Sequence, residues 1–195
     1  MLDKIVLKGP EVQMSDAEFL RFCQDNRDLN IERNAQREII IMSPTYAKTG
    51  FFNGKLFFQI AAWNEQSQLG IAFDSSAGFT LPDGSVRSPG VSWMRLAKWN
   101  TLTQAEQESF SPVCPDFVLE LKSSSDRLAD LKEKMQSYLD NGAQLGWLVV
   151  LEDQTVHIYR QDQPVTKHTD FNVPLAADPI LPGFQLDFSG LQLPG

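Results

Sequence analysis

The tightest constraint on the fold lies between residues 117 and 151. Residues 117–122 alternate as a strand, residues 126–141 repeat as a helix, and residues 145–151 form an apolar strand. In the helical stretch Leu128, Leu131, Met135, Tyr138 and Leu139 recur every three or four residues, and Gly142 stands just past the end. A strand, a helix and a buried apolar strand in succession predict a parallel crossover, because parallel neighbours need a long connection and cover on both faces. Residues 155–160 then return antiparallel across the Glu152-Asp153-Gln154 turn. The implied class is α/β or α+β, with a mixed sheet flanked by helices.

Upstream, Ser15 and Glu18 form a capping box that opens a helix running to about Arg27, with Phe19, Phe22 and Cys23 on one face. Residues 29–32 and 37–42 read as short strands around Asn34-Ala35-Gln36. After Ser43-Pro44 a second helix carries Phe52, Leu56, Ile60 and Trp63 as one stripe, and Gly70 is its expected stop. Residues 71–73, 79–81 and 91–94 read as strands, with Pro82-Asp83-Gly84 as a turn. Thr103 and Glu106 cap a short helix ending near Phe110. From His168 onward Pro174, Pro179, Pro182 and Pro194 divide the chain into short extended pieces. No linker or repeat interrupts the chain, so residues 1–195 are expected to form one domain with a core at about 46–151.

Charge and cysteine usage narrow the function. The 195 residues carry 17 Lys and Arg against 25 Asp and Glu, a net charge of −8. That argues against a broad electrostatic grip on nucleic acid, which depends on many basic phosphate contacts. Cys23 and Cys114 build no disulfide framework and no CxxC pair. No apolar run approaches the roughly 20 residues of a membrane helix, and Met1-Leu2-Asp3-Lys4 does not start a signal peptide. A cytoplasmic protein with no membrane partner is expected. His157 and His168 lack neighbours at metal-ligand spacing and read as strand or surface residues.

The stretch Pro115-Asp116-Phe117-Val118-Leu119-Glu120-Leu121-Lys122 concentrates the chemistry. Strand alternation puts Phe117, Leu119 and Leu121 on one face and Asp116, Val118, Glu120 and Lys122 on the other. A carboxylate and an ammonium two residues apart can hold a hard cation and steady charge developing on a phosphate. The same spacing also suits a half-solvated edge strand with an ordinary surface ion pair. Glu32 and Glu38 read equally well as solvated strand charges or as further acidic ligands. Lys134 and Tyr138, four apart, share a helix face, where core packing is the simpler role for Tyr138.

Together these segments resemble the PD-(D/E)XK nuclease superfamily, and within it a bacterial family described as putative restriction endonucleases. The matching stretches are Ile31-Glu32-Arg33, Glu38 to Thr45, Phe73-Asp74-Ser75-Ser76, Arg87-Ser88-Pro89-Gly90-Val91, Cys114 to Ser123, and Glu133 to Tyr138 with Asn141 to Leu148. The resemblance implies a restriction-endonuclease-like core with N-terminal helix and strand additions and a C-terminal hairpin. It implies hydrolysis of a nucleic-acid phosphodiester, with DNA as the expected nucleic acid and, if the chain is active, Mg²⁺ or Mn²⁺ as cofactor. It makes Glu120 the metal ligand and Lys122 the catalytic lysine.

One position departs from the pattern. The family's first metal-binding aspartate follows the proline at Pro89, where this chain has Gly90. Asp116, Asp74 and Glu32 are the carboxylates that could substitute. Two alternatives stay open: a nuclease-fold module that binds nucleic acid or a protein without catalysis, and a self-associating domain using Phe51, Phe52, Phe57, Phe58 and Trp63 for a core and a homodimer interface. The sequence alone predicts weak or no cleavage, with a gain on Gly90→Asp.

Overall fold

The strand Phe117–Leu121 lies inside the main sheet, not at an edge. A computed structural model describes residues 4–193, so the start Met1-Leu2-Asp3 and the last proline, Pro194, lie outside the described residues. In chain order the elements are β1 (Lys4–Leu7), α1 (Asp16–Asp25), β2 (Asn30–Arg33), β3 (Ile39–Met42), α2 (Ala47–Ser67), β4 (Gly70–Asp74), β5 (Phe79–Thr80) and β6 (Val86–Arg87). They continue with β7 (Val91–Arg95), α3 (Leu96–Trp99), α4 (Gln104–Gln107), β8 (Phe117–Leu121), α5 (Leu128–Asp140), β9 (Leu145–Val150), β10 (Thr155–Arg160), β11 (Thr166–His168), β12 (Leu175–Ala176) and β13 (Gln185–Leu186). The main sheet has the order β11-β10-β9-β8-β7-β4, and a smaller sheet the order β1-β3-β2-β6-β5.

The pair β8–β9 is parallel, in register Phe117↔Leu145 to Leu121↔Val149, and α5 is its crossover. All other pairings between named strands are antiparallel. β7 and β9 pair the two edges of β8, and helices cover both of its faces. Phe117, Leu119 and Leu121 pack with Phe52, Leu56 and Ile60 of α2. Val118 packs on the other face with Met135, Tyr138 and Leu139 of α5. The C-terminal segment adds Leu181, Phe184, Leu186 and Phe188 to the α2-side core. A third cluster joins Phe19 of α1 to Ile31, Ile39 and Val86 on the small sheet.

Both capping boxes form, at Ser15–Glu18 and Thr103–Glu106. Residues 79–80 form a strand outside the main sheet: β5 pairs with β6, which joins β2 in the smaller sheet. The three antiparallel strands of the core are therefore β4, β7 and β8. Two helix boundaries need correction. Asp126 does not start the helix; it accepts from Ser123 N and Oγ and shapes the turn before α5. Gly70 does not stop α2 either. Gln68 does so in a left-handed conformation (φ 52°), its N–H bonded to the Asn64 carbonyl.

Gly70 opens β4 instead, and a Cβ there would meet the Trp93 ring at 2.5 Å and the Met94 carbonyl closer still. Of the aromatic residues on α2, Phe52 is buried while Phe58 is 66 % exposed. Among the described residues no helix is long and apolar enough to cross a membrane. Gly70→Ala is expected to destabilise the protein by at least about 2 kcal/mol through overpacking against a fixed backbone, read from chemical denaturation.

Candidate active site

Glu120 lies near the C-terminal end of β8, on the face covered by α5. Lys134 and Tyr138, one turn apart on that helix, both reach the same oxygen. The Lys134 ammonium lies 2.9 Å from Glu120 Oε1, and the Tyr138 hydroxyl donates to it at 3.0 Å. Lys134 also donates to Glu32 Oε1 at 2.8 Å. Glu32 comes from β2 of the smaller sheet, where Arg87 of β6 reaches its Oε2 at 3.0 Å and the Ser88 N–H its Oε1 at 3.0 Å. Two carboxylates and two cations therefore form one neutral cluster. It is shielded from solvent: the Glu32 side chain is 3 % exposed and that of Lys134 15 %.

The two carboxylates are not equivalent. Burial pushes Glu32 toward protonation, but Lys134, Arg87 and the Ser88 N–H together outweigh it and hold its carboxyl below the ordinary value. Glu120 has one ammonium, already shared, and the Glu32 charge beside it. Burial therefore dominates, and the Glu120 carboxyl is held above its ordinary value. Burial opposes charge on Lys134 too, but Glu120 and Glu32 together keep it more firmly protonated than usual. Burial first, then Glu120, pushes the Tyr138 hydroxyl well up, so it serves as a neutral donor.

Both hydrogen bonds to Glu120 fall on Oε1, and Oε2 faces Gly90. A Cβ built at Gly90 would lie 3.8 Å from Glu120 Oε2, 3.1 Å from the Leu119 carbonyl and 2.9 Å from Asn53 Oδ1. Residue 90 and Glu120 thus share one corner, as the register Val91↔Leu119 requires. The Asn53 carboxamide, from α2, is held there by Nδ2 donating to the Gly90 carbonyl at 2.9 Å.

The other candidates fall elsewhere. Lys122 follows β8, but its ammonium donates to the Ser123 carbonyl at 3.0 Å and pairs with Glu152 at 3.5 Å. Glu120 takes its ammonium from Lys134. Asp116 is buried at the opposite end of the strand, about 13 Å away at 3.3 Å per residue, and pairs with Arg95 and Lys98. Asp74 is exposed and accepts from Ser76 N and Oγ. It stands opposite Val91, which packs on the α2 side, so Asp74 points away from the Glu120 face. The structure brings Glu32 to Glu120 and leaves Asp116 and Asp74 apart.

Arg87, Ser88 and Asn53 were not among the expected site residues. Arg87 and Ser88 could have been suspected from their place just before Pro89-Gly90; Asn53 carried no signal in sequence. Glu38 pairs with Lys8 outside the cluster. His157 and His168 lie on strands, β10 and β11, as expected, and His157 is buried. Cys114 is buried with its thiol pushed up to about 12, and Cys23 to about 11, both by desolvation. Among the described residues no three His, Cys, Asp or Glu side chains gather to hold a metal. A cavity of about 580 Å³ between α1 and the β4–β5 region is lined by neither Glu32, Glu120, Lys134 nor Gly90.

A mixed sheet with the parallel β8–α5–β9 unit and an acidic residue beside the β7–β8 corner is the frame of a nuclease-like fold. The structure resembles that of a putative nuclease belonging to DUF820 from Anabaena variabilis ATCC 29413, with a TM-score of 0.69 and 20 % identity over 83 % of this chain and 88 % of that one. The family model Uma2, described as putative restriction endonuclease, matches residues 16–189, and the chain belongs to that family. No curated protein matches the sequence.

Removing one member of the buried cluster tests its electrostatics. Glu32→Gln leaves Lys134 and Arg87 with Glu120 alone and is expected to cost about 3 kcal/mol at pH 7. Because the Glu32 carboxyl is lowered in the folded state, its stabilisation is present above 4.5, its ordinary value, and is lost as pH falls through the folded one. The gap between the native protein and Glu32→Gln in denaturation should therefore close only below about pH 4.5.

Proposed function

We propose that this chain is a slow, divalent-cation-dependent nuclease that hydrolyses DNA phosphodiesters, with Glu120 as its metal ligand. The observation that supports this reading is the free edge of Glu120. Oε1 is fixed by Lys134 and Tyr138, while Oε2 faces the space beside Gly90 together with Asn53 Oδ1. A hard cation takes such oxygen donors, and the corner that a Cβ at residue 90 would fill gives it room. The residues present therefore fit Mg²⁺ or Mn²⁺, with fewer charges than two carboxylates would supply. Bound there, the cation would polarise the phosphoryl oxygen and offset the charge that develops on it.

The chain's own groups have separable roles. Lys134 and Tyr138 set the orientation of the Glu120 carboxylate. Glu32 keeps Lys134 charged and is itself held by Arg87, so it acts as a positioning residue. Lys122 supplies positive charge toward the phosphate once it leaves Glu152, an exposed and weak partner at 3.5 Å. With a net charge of −8, substrate affinity depends on these few local contacts, and its salt dependence is correspondingly shallow.

A second reading has its own support. The Lys134 ammonium already bridges both carboxylates, so the cluster is electrically satisfied without a metal. On that reading the chain binds nucleic acid or a protein partner without cutting.

Plasmid cleavage with Mg²⁺ and Mn²⁺ separates the two. Slow nicking that falls by roughly 10²-fold or more in Glu120→Gln is expected if the carboxylate holds the cation. Gly90→Asp should raise the rate, and more so when combined with Asn53→Ala, because the new side chain needs the space of the Asn53 carboxamide. DNA binding without cleavage in every variant would overturn the nuclease reading in favour of the binding module.

A further inference from the structure

The three atoms nearest to the missing side chain of residue 90 are all oxygens: Asn53 Oδ1, the Leu119 carbonyl and Glu120 Oε2. The Leu119 carbonyl is backbone in the sheet and cannot move far. The other two are side-chain oxygens that enter the corner from different layers. Asn53 comes from α2 and Glu120 from β8. The carboxamide is not free to flip, because Nδ2 donates to the Gly90 carbonyl and so turns Oδ1 toward the corner. The backbone at Gly90 does not lie in the left-handed region, so φ does not demand glycine there. What glycine provides is space: a Cβ would press on Asn53 Oδ1 at 2.9 Å.

We infer that Asn53 supplies the second cation ligand of this chain, its carboxamide oxygen standing in from α2 for the side chain that residue 90 lacks. The inference rests on the nuclease reading above and deepens it. Gly90 and Asn53 are then one coupled exchange: the strand gives up a side chain, and the helix sends an amide oxygen into the vacated volume. The chemistry suits a hard divalent cation, which accepts Asn carbonyl oxygens alongside carboxylates. The price is charge. One anionic ligand and one neutral ligand hold the cation less tightly than two anions would.

The test is Mn²⁺ binding to the full-length chain, followed by the electron paramagnetic resonance of the free ion. Asn53→Asp keeps the shape of the side chain and adds one negative charge at the proposed ligand atom. It is expected to tighten Mn²⁺ binding at least about tenfold, and Glu120→Gln added to it should abolish the gain. Asn53→Leu should weaken binding by a similar factor. A gain of affinity cannot come from poor folding, and thermal melts without metal check the Leu variant. The added carboxylate should also repel the Gly90 carbonyl, so Asn53→Asp should melt lower than the native chain without Mn²⁺ and recover with it.

If Asn53→Asp and Asn53→Leu both bind Mn²⁺ like the native chain while Glu120→Gln loses it, the Asn53 assignment is overturned and the nuclease reading stands. If neither the native chain nor Asn53→Asp binds Mn²⁺ above the Glu120→Gln background, both fall.

Discussion

One ammonium group holds the centre of this molecule together. Lys134 of α5 reaches Glu32 on the smaller sheet and Glu120 on the main sheet at once. Three parts of the chain that are remote in sequence meet at that atom. Burying two carboxylates, an ammonium and the Arg87 guanidinium is costly in desolvation, and the cost is offset only because each charge has a partner at hydrogen-bond distance. The cluster therefore behaves as a unit. Its members tie both sheets to α5, and they meet Glu120 at Oε1 rather than Oε2.

The helix can do this because it sits close to the sheet. Gly146 of β9 lies under α5, where a Cβ would approach Met135 Cε at 2.5 Å. Met135, Tyr138 and Leu139 fill the space above Val118 and Leu148, and Lys134, one residue before Met135, is carried to the rim of that core beside Glu120. Packing thus sets the electrostatics. The apolar face of α5 determines where the Lys134 ammonium lies, and that ammonium favours the charged form of both Glu32 and Glu120; burial, with the Glu32 charge beside it, still leaves Glu120 above its ordinary value.

The corner beside Gly90 shows the same economy on a smaller scale. Gly90, just before β7, carries no side chain, and Asn53 Oδ1 from α2 lies 2.9 Å from where its Cβ would stand. That neighbour is 37 positions away in sequence and belongs to another layer, so no local pattern around Pro89-Gly90 announces it. Asp116 and Asp74, nearer in sequence to the expected motif, are committed to other structural tasks: one anchors Arg95 and Lys98, the other closes its own turn.

What was legible in the sequence was the local physics. Alternation along residues 117–122 assigned each side chain of β8 to its face. The period of α5, the two capping boxes and the parallel crossover followed from spacing and from the need to cover an apolar strand on both sides. The family resemblance marked Glu120 as the centre. Long-range partnership was not legible. Whether β8 was an edge or a central strand depended on β7 and β9 arriving on either side. Lys134 could have faced solvent, a phosphate or a carboxylate with the same spacing. Strand residues 79–87 were diverted to the second sheet by pairing with β2, which no local pattern announces. The sequence by itself determined the main elements around β8 and their buried faces, because these depend on periodicity and burial. Only the tertiary structure decided which charges meet, since a buried ion is stabilised by whichever partner the fold brings within about 3 Å, and sequence distance has no bearing on that.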